Sequence, residues 1–314
     1  GAEVKPLDYH PGQVAAQTEA GTRHVAQKLA DWVGPVADFA RGADLFVLAT
    51  AEAAGGLRFT VVSGSPPLVR IAEQPELRMN LPPAVGINLS MPAACGGLAI
   101  NLGLARRARV NGILQLGASG PELLVTEAFT LCRKYMVPSV AIEPALRIGP
   151  ARCEAVALDA PWLIDLIARA ETTFLGSLSP AGMPDVAHRG GKPGFLKYEP
   201  GARLLSWTEF VGDGVFKSAG NIRDTKTMAL LAADLESGDG AVLFGHAEYE
   251  TTYTKGQPRT DALVQHTKEF PSQGAMTCTI DRAERLPGLL HPRERIARAP
   301  RITSRSAVTE QMPR

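Results

Sequence analysis

The chain has 314 residues, 45% hydrophobic and 21% charged, the mix of a soluble globular protein long enough for two units of about 120–150 residues. Its 33 lysines and arginines against 32 aspartates and glutamates exclude a wholesale nucleic-acid binder, which shows a basic surplus. No run approaches the roughly 18 consecutive apolar residues of a membrane helix, and the polar stretch from Gly1 to Pro11 lacks the layout of a secretory signal.

Helical periodicity covers residues 14–29. The apolar run Phe46-Val-Leu-Ala-Thr50 then reads as a strand, and Thr173-Phe-Leu-Gly-Ser177 repeats it 127 positions later. At that shift Pro66-Pro-Leu-Val-Arg70 falls on Pro193-Gly-Phe-Leu-Lys197, and Leu77 on Leu204. With a few residues of drift, Ala108-Arg-Val-Asn-Gly112 lies over Val242-Leu-Phe-Gly-His246. The apolar run 91–104 is larger than one small sheet requires, which favours pairing into a homodimer. Cys132 stands beside Arg133 and Lys134, which is either a reactive thiolate or a buried inert thiol.

The stretch 140–158, rich in Pro, Ala and Arg, reads as a linker. A helix follows over 161–169, with Asp159 as its cap and Leu163, Ile164, Leu166 and Ile167 on its apolar face. Strands are expected at 174–178, 185–188, 194–198 and 204–208, a short helix at 215–224, an apolar run at 228–233 and a strand at 241–245. The plan is therefore an N-terminal unit over 1–139 with a leading helix, the linker 140–158, a second unit over 159–286, and a basic, loosely ordered tail over 287–314. Many short strands with few helices, 31 glycines and 24 prolines suit small barrels.

Two segments concentrate candidate chemistry. In Ala187-His-Arg-Gly-Gly-Lys-Pro-Gly-Phe195, Arg189 and Lys192 flank Gly190 and Gly191, whose missing side chains let a ligand approach the backbone. The alternative is a Gly-Gly hairpin with solvated charges. In Gly212-Asp-Gly-Val-Phe-Lys-Ser-Ala-Gly-Asn221, a helix start carrying Lys217 and Ser218 offers N–H groups, an ammonium and a hydroxyl to a phosphate. The alternative is an ordinary loop-to-helix junction, and the pattern is not a Walker motif. Six scattered histidines and four cysteines without a C-x-x-C or H-E-x-x-H pattern give no metal centre, zinc site or disulfide framework, and the cytoplasm is the expected compartment. No G-x-G-x-x-G marks a nicotinamide dinucleotide site.

Together with Phe174-Leu-Gly-Ser, Gly182-Met-Pro-Asp-Val and Leu205-Ser-Trp, these segments resemble the pyridoxamine 5′-phosphate oxidase-like superfamily of FMN-binding split barrels. The resemblance covers about 170–250. It is weaker in the first half, through Tyr9-His-Pro-Gly-Gln, Arg107-Ala-Arg-Val-Asn-Gly and Phe129-Thr-Leu-Cys-Arg-Lys-Tyr. It implies a mainly β fold with a few helices (α+β), as two tandem FMN-binding split β-barrel domains. It implies that His188, Arg189, Gly190 and Gly191, with Lys192 beside them, line the flavin with Trp207 and Thr208. Lys217, Ser218 and Asn221 would grip the phosphate, and the first half or a second chain would supply the rest of the site. Ser63-Gly-Ser-Pro-Pro67, standing where the second half has Arg189-Gly-Gly-Lys-Pro193, argues against a second complete site.

The expected function is an FMN-dependent oxidoreductase acting on a small molecule, with an electron donor that is either a separate reductase or a transiently docked nicotinamide nucleotide. The rivals are an F420- or haem-binding split barrel, a non-catalytic flavin-binding or sensing protein, and a structural protein with a decayed site.

Overall fold

A computed structural model describes residues 7–29, 33–86, 89–131, 135–210, 212–251, 253–254, 257–258 and 272–296. Helices α1 (Pro11–Ala20), α2 (Arg23–Lys28) and α3 (Val33–Arg41) lead into seven strands: β1 (Leu45–Ala51), β2 (Leu57–Ser63), β3 (Arg70–Ala72), β4 (Arg78–Asn80), β5 (Ala93–Asn101), β6 (Arg106–Gly117) and β7 (Gly120–Thr130). Three short strands follow, β8 (Ser139–Ala141), β9 (Arg147–Gly149) and β10 (Glu154–Val156), then helix α4 (Pro161–Arg169). The second series is β11 (Thr172–Leu178), β12 (Pro184–Gly190), β13 (Lys197–Glu199), β14 (Leu204–Phe210), helix α5 (Lys217–Thr225), β15 (Thr227–Ala233) and β16 (Gly240–Thr251). The short pair β17 (Tyr253–Thr254) and β18 (Gln257–Pro258), the long β19 (Ser272–Leu286) and β20 (Arg293–Arg295) complete it.

The fold is mainly β with a few helices, in two large antiparallel sheets that share one strand order. The first runs β3-β4-β7-β6-β5-β1-β2, with β9 added beyond β2. The second runs β13-β14-β19-β16-β15-β11-β12, with β10 pairing to β19 off that path. Taken in chain order within each series, the seven strands occupy the same places. The likeness reaches a local irregularity. The ladder shifts register at Asn111/Gly112 in one sheet and at Phe244/Gly245 in the other. A β-bulge pushes backbone against backbone, so a Cβ on Gly112 would strike Leu124 O and one on Gly245 would strike Thr279 O.

Alternation of side chains explains the long strands. In β16, Ala247 and Tyr249 turn inward while Glu248 and Glu250 face out. Each sheet encloses its own apolar cluster, the first closed by Val36 and Ala40 of α3, the second by Leu163, Leu166 and Ile167 of α4. A third cluster lies between the sheets, where Val47, Phe59, Leu98 and Ile100 meet Phe174, Val186, Leu231 and Val242. Of the apolar run 91–104, Leu98, Ile100 and Leu102 are buried in this cluster, Cys95 and Ala99 in the first sheet's own cluster, and Leu104 is exposed.

Four details depart from the expected plan. The leading helical segment breaks at Gly21, which is left-handed at φ 73°, and its first part, α1, packs on α5 of the second series. Ala160, not Asp159, precedes α4, and Ile164 is 40% exposed beside its buried neighbours. Within 140–158, β9 extends the first sheet and β10 pairs with the second, so this stretch ties both together. Beyond 287, Leu289 and Leu290 are buried between the sheets and β20 pairs with β8, so that the chain is built in as far as residue 296. Cys132 and the tail after residue 296 lie outside the described residues.

Candidate functional site

The site is organised around the start of α5. Two left-handed residues, Gly214 (φ 79°) and Phe216 (φ 55°), turn the chain from β14 into the helix. Phe216 accepts a conformation that side chains disfavour because its ring is buried, 6.2 Å from the Tyr249 ring in an edge contact. The first bond of the helical ladder runs from Gly220 N to Phe216 O, 2.9 Å. The N–H groups of Lys217, Ser218 and Ala219 precede it and carry the positive end of the helix dipole.

Helix α1 fixes this turn from behind. Gln17 Nε2 donates to Val215 O at 2.7 Å, Gln13 Nε2 to Lys217 O at 3.3 Å, and Thr22 Oγ1 to Gly214 O at 2.7 Å. Further along α5, His10 Nε2 meets Asn221 Oδ1 at 2.7 Å, and Gly12 N donates to Asp224 Oδ2 at 3.1 Å. The helices approach so closely that a Cβ on Gly12 would sit 2.5 Å from Asp224 Oδ2, and one on Gly220 would overlap the Gln13 backbone. With those carbonyls held by α1, the opposite face of the turn is left to a cleft.

That cleft lies between the two sheets and holds a cavity of about 90 Å³. The first half contributes Arg107, Arg109, Leu131 and Tyr135; the second contributes β12 from Ala187 to Gly190, Phe195, β14 from Trp207, and the turn into α5. Of the residues expected at a ligand site, His188, Arg189, Gly190, Trp207, Thr208, Lys217 and Ser218 share these walls. Gly191, Lys192 and Asn221 are not on them. A Cβ on Gly191 would lie 2.7 Å from the Phe195 ring, so this glycine admits that ring rather than a ligand. Lys192 is exposed in the turn before Phe195. Asn221 is buried and donates to Ser177 Oγ at 3.0 Å while accepting from α1. The space at Gly190 is filled as well, by Tyr135 O and by His188 Cε1 at 2.7 Å from a built Cβ.

Charges on the walls are paired across the cleft. Arg109 donates to both oxygens of Asp185, at 2.8 and 2.9 Å, and Asn111 Nδ2 and Ser218 Oγ add bonds of 3.1 and 3.4 Å to the same carboxylate. Burial pushes the Asp185 carboxyl up, but the Arg109 guanidinium, with Lys217 and Asn111, holds the group below the usual carboxylate range. Lys217 Nζ reaches Glu127 Oε2 at 2.6 Å and lies 5.3 Å from the Tyr9 ring centre, between first-half groups. Arg189 directs its fork at Glu209, 2.7 and 3.0 Å, and its remaining nitrogen at His188 O. Trp207 Nε1 donates to that Glu209 at 2.8 Å. The Arg189 fork is thus occupied by protein.

His188 is different. It is 5% exposed, and neither ring nitrogen has a hydrogen-bond partner. Burial lowers its pKa well below the ordinary 6.5, and the charges of Arg107 and Arg189 lower it further, so the ring is neutral.

The corresponding place in the first half has lost this chemistry. Offsetting β12 by 127 positions onto β2 puts Val61 and Val62 where His188 and Arg189 stand. Offsetting β6 by 133 onto β16, the shift that aligns the two bulges, puts Gly240 and Val242 where Arg107 and Arg109 stand. Strand β9 then covers β2, pairing Ile148 with Val62 and Gly149 with Val61. Among the described residues no helix lies between β4 and β5, where α5 would be.

No family model matches this chain, and no curated protein does. Among solved structures, it is similar to a putative pyridoxamine 5′-phosphate oxidase from Lactobacillus delbrueckii, at 20% identity over 40% of this chain and 91% of that one, TM-score 0.29. General stress protein 26 from Bacillus anthracis matches at 14% identity over 42% and 95%, TM-score 0.28. HupZ from Group A Streptococcus matches at 15% identity over 38% and 86%, TM-score 0.27. Likenesses this distant assign no role to any residue. The reading of the site rests on its geometry.

Sequence reasoning missed the first-half wall. Arg107 and Arg109 stand in a segment that it singled out, yet nothing in their spacing showed that β6 would face β12. Of the polar row, Gln17 and Thr22 were legible only as part of a helix, and Gln13 only within the segment Tyr9-His-Pro-Gly-Gln. Among the described residues, no group of three or more His, Cys, Asp or Glu side chains is arranged to hold a metal ion, and no helix is long and apolar enough to cross a membrane.

Proposed function

We propose that the cleft binds one FMN per chain and that the protein is an FMN-dependent oxidoreductase acting on a small molecule. One juxtaposition carries this reading: an open helix start bearing Lys217 and Ser218 shares a cleft with a buried imidazole whose nitrogens lack partners. The first turn of α5 suits a phosphate through its N–H groups, with the Ser218 hydroxyl, which leaves Asp185, and the Lys217 ammonium as further donors. To meet that phosphate, Lys217 exchanges its bond to Glu127. Arg107 adds a cation from the opposite wall. Arg189 is a positioning residue here, locked by Glu209, and holds β12 against β14.

Aromatic side chains suit the ring system, and the lining includes Trp207 and Phe195 from the second half and Tyr135 from the first. The bound flavin supplies the electron chemistry, and the chain fixes its position, polarity and access. An electron donor docks transiently or is a separate reductase, because the sequence holds no dinucleotide-binding motif.

Loading the purified chain with FMN, removing the excess and recording the visible spectrum tests the reading. A retained two-banded oxidised-flavin spectrum, bleached by a chemical reductant and restored by an acceptor, supports it. Failure to retain FMN, or a spectrum of deazaflavin or haem in the purified protein, overturns it.

A further inference from the structure

His188 presents a problem that the fold does not solve by itself. Buried polar atoms are nearly always hydrogen-bonded, and an exception calls for a partner that the chain does not supply. The ring rests on Phe174 in an edge contact, centres 5.7 Å apart, with Gly190 beneath its Cε1. Arg189 Nη1 bonds the His188 carbonyl at 3.0 Å, which pins the backbone, and His188 is among the residues that line the cleft. The nearby guanidinium groups of Arg107 and Arg189 favour an electron-rich acceptor at this position.

We propose that His188 determines ligand specificity by donating a ring N–H to a carbonyl oxygen on the pyrimidine end of the isoalloxazine. The inference rests on the flavin reading and deepens it. On that reading the ring's carbonyls would lie at the His188 end of the cleft and the phosphate at the α5 start. A purely structural histidine in this position would be a liability, since an apolar ring of similar size would pack on Phe174 without stranding two nitrogens.

FMN titrations of the apoprotein, with melting temperatures of the ligand-free forms and the carbonyl-stretch frequency of bound FMN, test this in His188→Phe and His188→Gln. His188→Phe is expected to bind FMN about 10-fold more weakly, the loss of one hydrogen bond. Its ligand-free melting temperature stays at or above wild type, and the flavin carbonyl stretch moves to higher frequency. His188→Gln, which keeps an N–H donor, restores most of the affinity and the frequency. FMN binding by His188→Phe within about twofold of wild type, with an unchanged stretch, overturns the inference and leaves the flavin reading standing. A ligand-free His188→Phe that melts well below wild type, with no recovery in His188→Gln, also overturns it, because the residue is then structural. Wild-type protein that binds no FMN overturns the flavin reading and this inference with it.

Discussion

Arg109 on β6 and Asp185 on β12 form a forked ion pair between the two sheets, with side-chain exposures of 7% and 4%. Two charges are removed from water together, and each meets the desolvation of the other only while both are present. Arg109→Met is therefore expected to destabilise the fold by about 3–5 kcal/mol, and the double change Arg109→Met with Asp185→Leu to recover most of that loss. Denaturant unfolding of the three proteins measures it. A single-variant loss below about 1 kcal/mol would place the pair among weak surface contacts.

The crossing of α1 over α5 depends on two residues without side chains. Gly220→Ala puts a methyl group into the Gln13 backbone. We expect a loss of about 1–3 kcal/mol from the forced shift, and weaker FMN binding as Gln17 and Thr22 lose the carbonyls of the turn. Gly201→Ala is the control, since nothing lies within 4 Å of its Cβ. Equal behaviour of the two variants in melting and titration would show that α1 does not set the turn.

The pH dependence of stability follows from His188. Above its ordinary pKa of 6.5 the ring is neutral whether the chain is folded or unfolded, and contributes no slope. Below that value the unfolded chain takes up a proton that the buried ring refuses, so stability falls as the pH falls. The limiting slope is about 1.4 kcal/mol per pH unit for one proton, until the depressed folded pKa is reached. His188→Phe is expected to remove this component, seen as a flatter stability profile on the acid side of 6.5. An unchanged difference between the two profiles across that range would mean that the ring is not held neutral.

Much of the second half was legible before any coordinates, and the reasons are local. Residues 161–169 form a helix because an apolar stripe follows a proline, and the strand at 227–233 is a nearly continuous apolar run between turns. The start of α5 was legible from its glycines and Lys217. What remained hidden was long-range. The Arg189 fork looked free for a phosphate because Glu209, 20 residues later, gives no sign of facing it. The two glycines after Arg189 looked like a ligand's approach, yet Tyr135 and Phe195 fill those spaces. The stretch taken as a linker forms sheet edges because pairing partners, not composition, decide short strands.

Loss of the first-half site makes stoichiometry a test in its own right. With Val61, Val62, Gly240 and Val242 in place of the polar wall, binding is expected to saturate at one FMN per chain. Replacing Val61 or Val62 by alanine should leave that affinity within about threefold of wild type while lowering stability by about 0.5–3 kcal/mol. A second equivalent of bound flavin, lost on these changes, would show that the first half retains a site.

The central claim is that the start of α5 holds a phosphate, and calorimetric titration of FMN and of riboflavin into the apoprotein tests it most directly, in wild type and in Lys217→Ala. Charge-assisted hydrogen bonds contribute about 1.5–3 kcal/mol each, so wild type should bind FMN at least about 10- to 100-fold more tightly than riboflavin. Lys217→Ala should lose about that factor for FMN and almost nothing for riboflavin, narrowing the gap between the two. Equal wild-type affinity for the two ligands, or an equal loss of both on Lys217→Ala, would contradict the account.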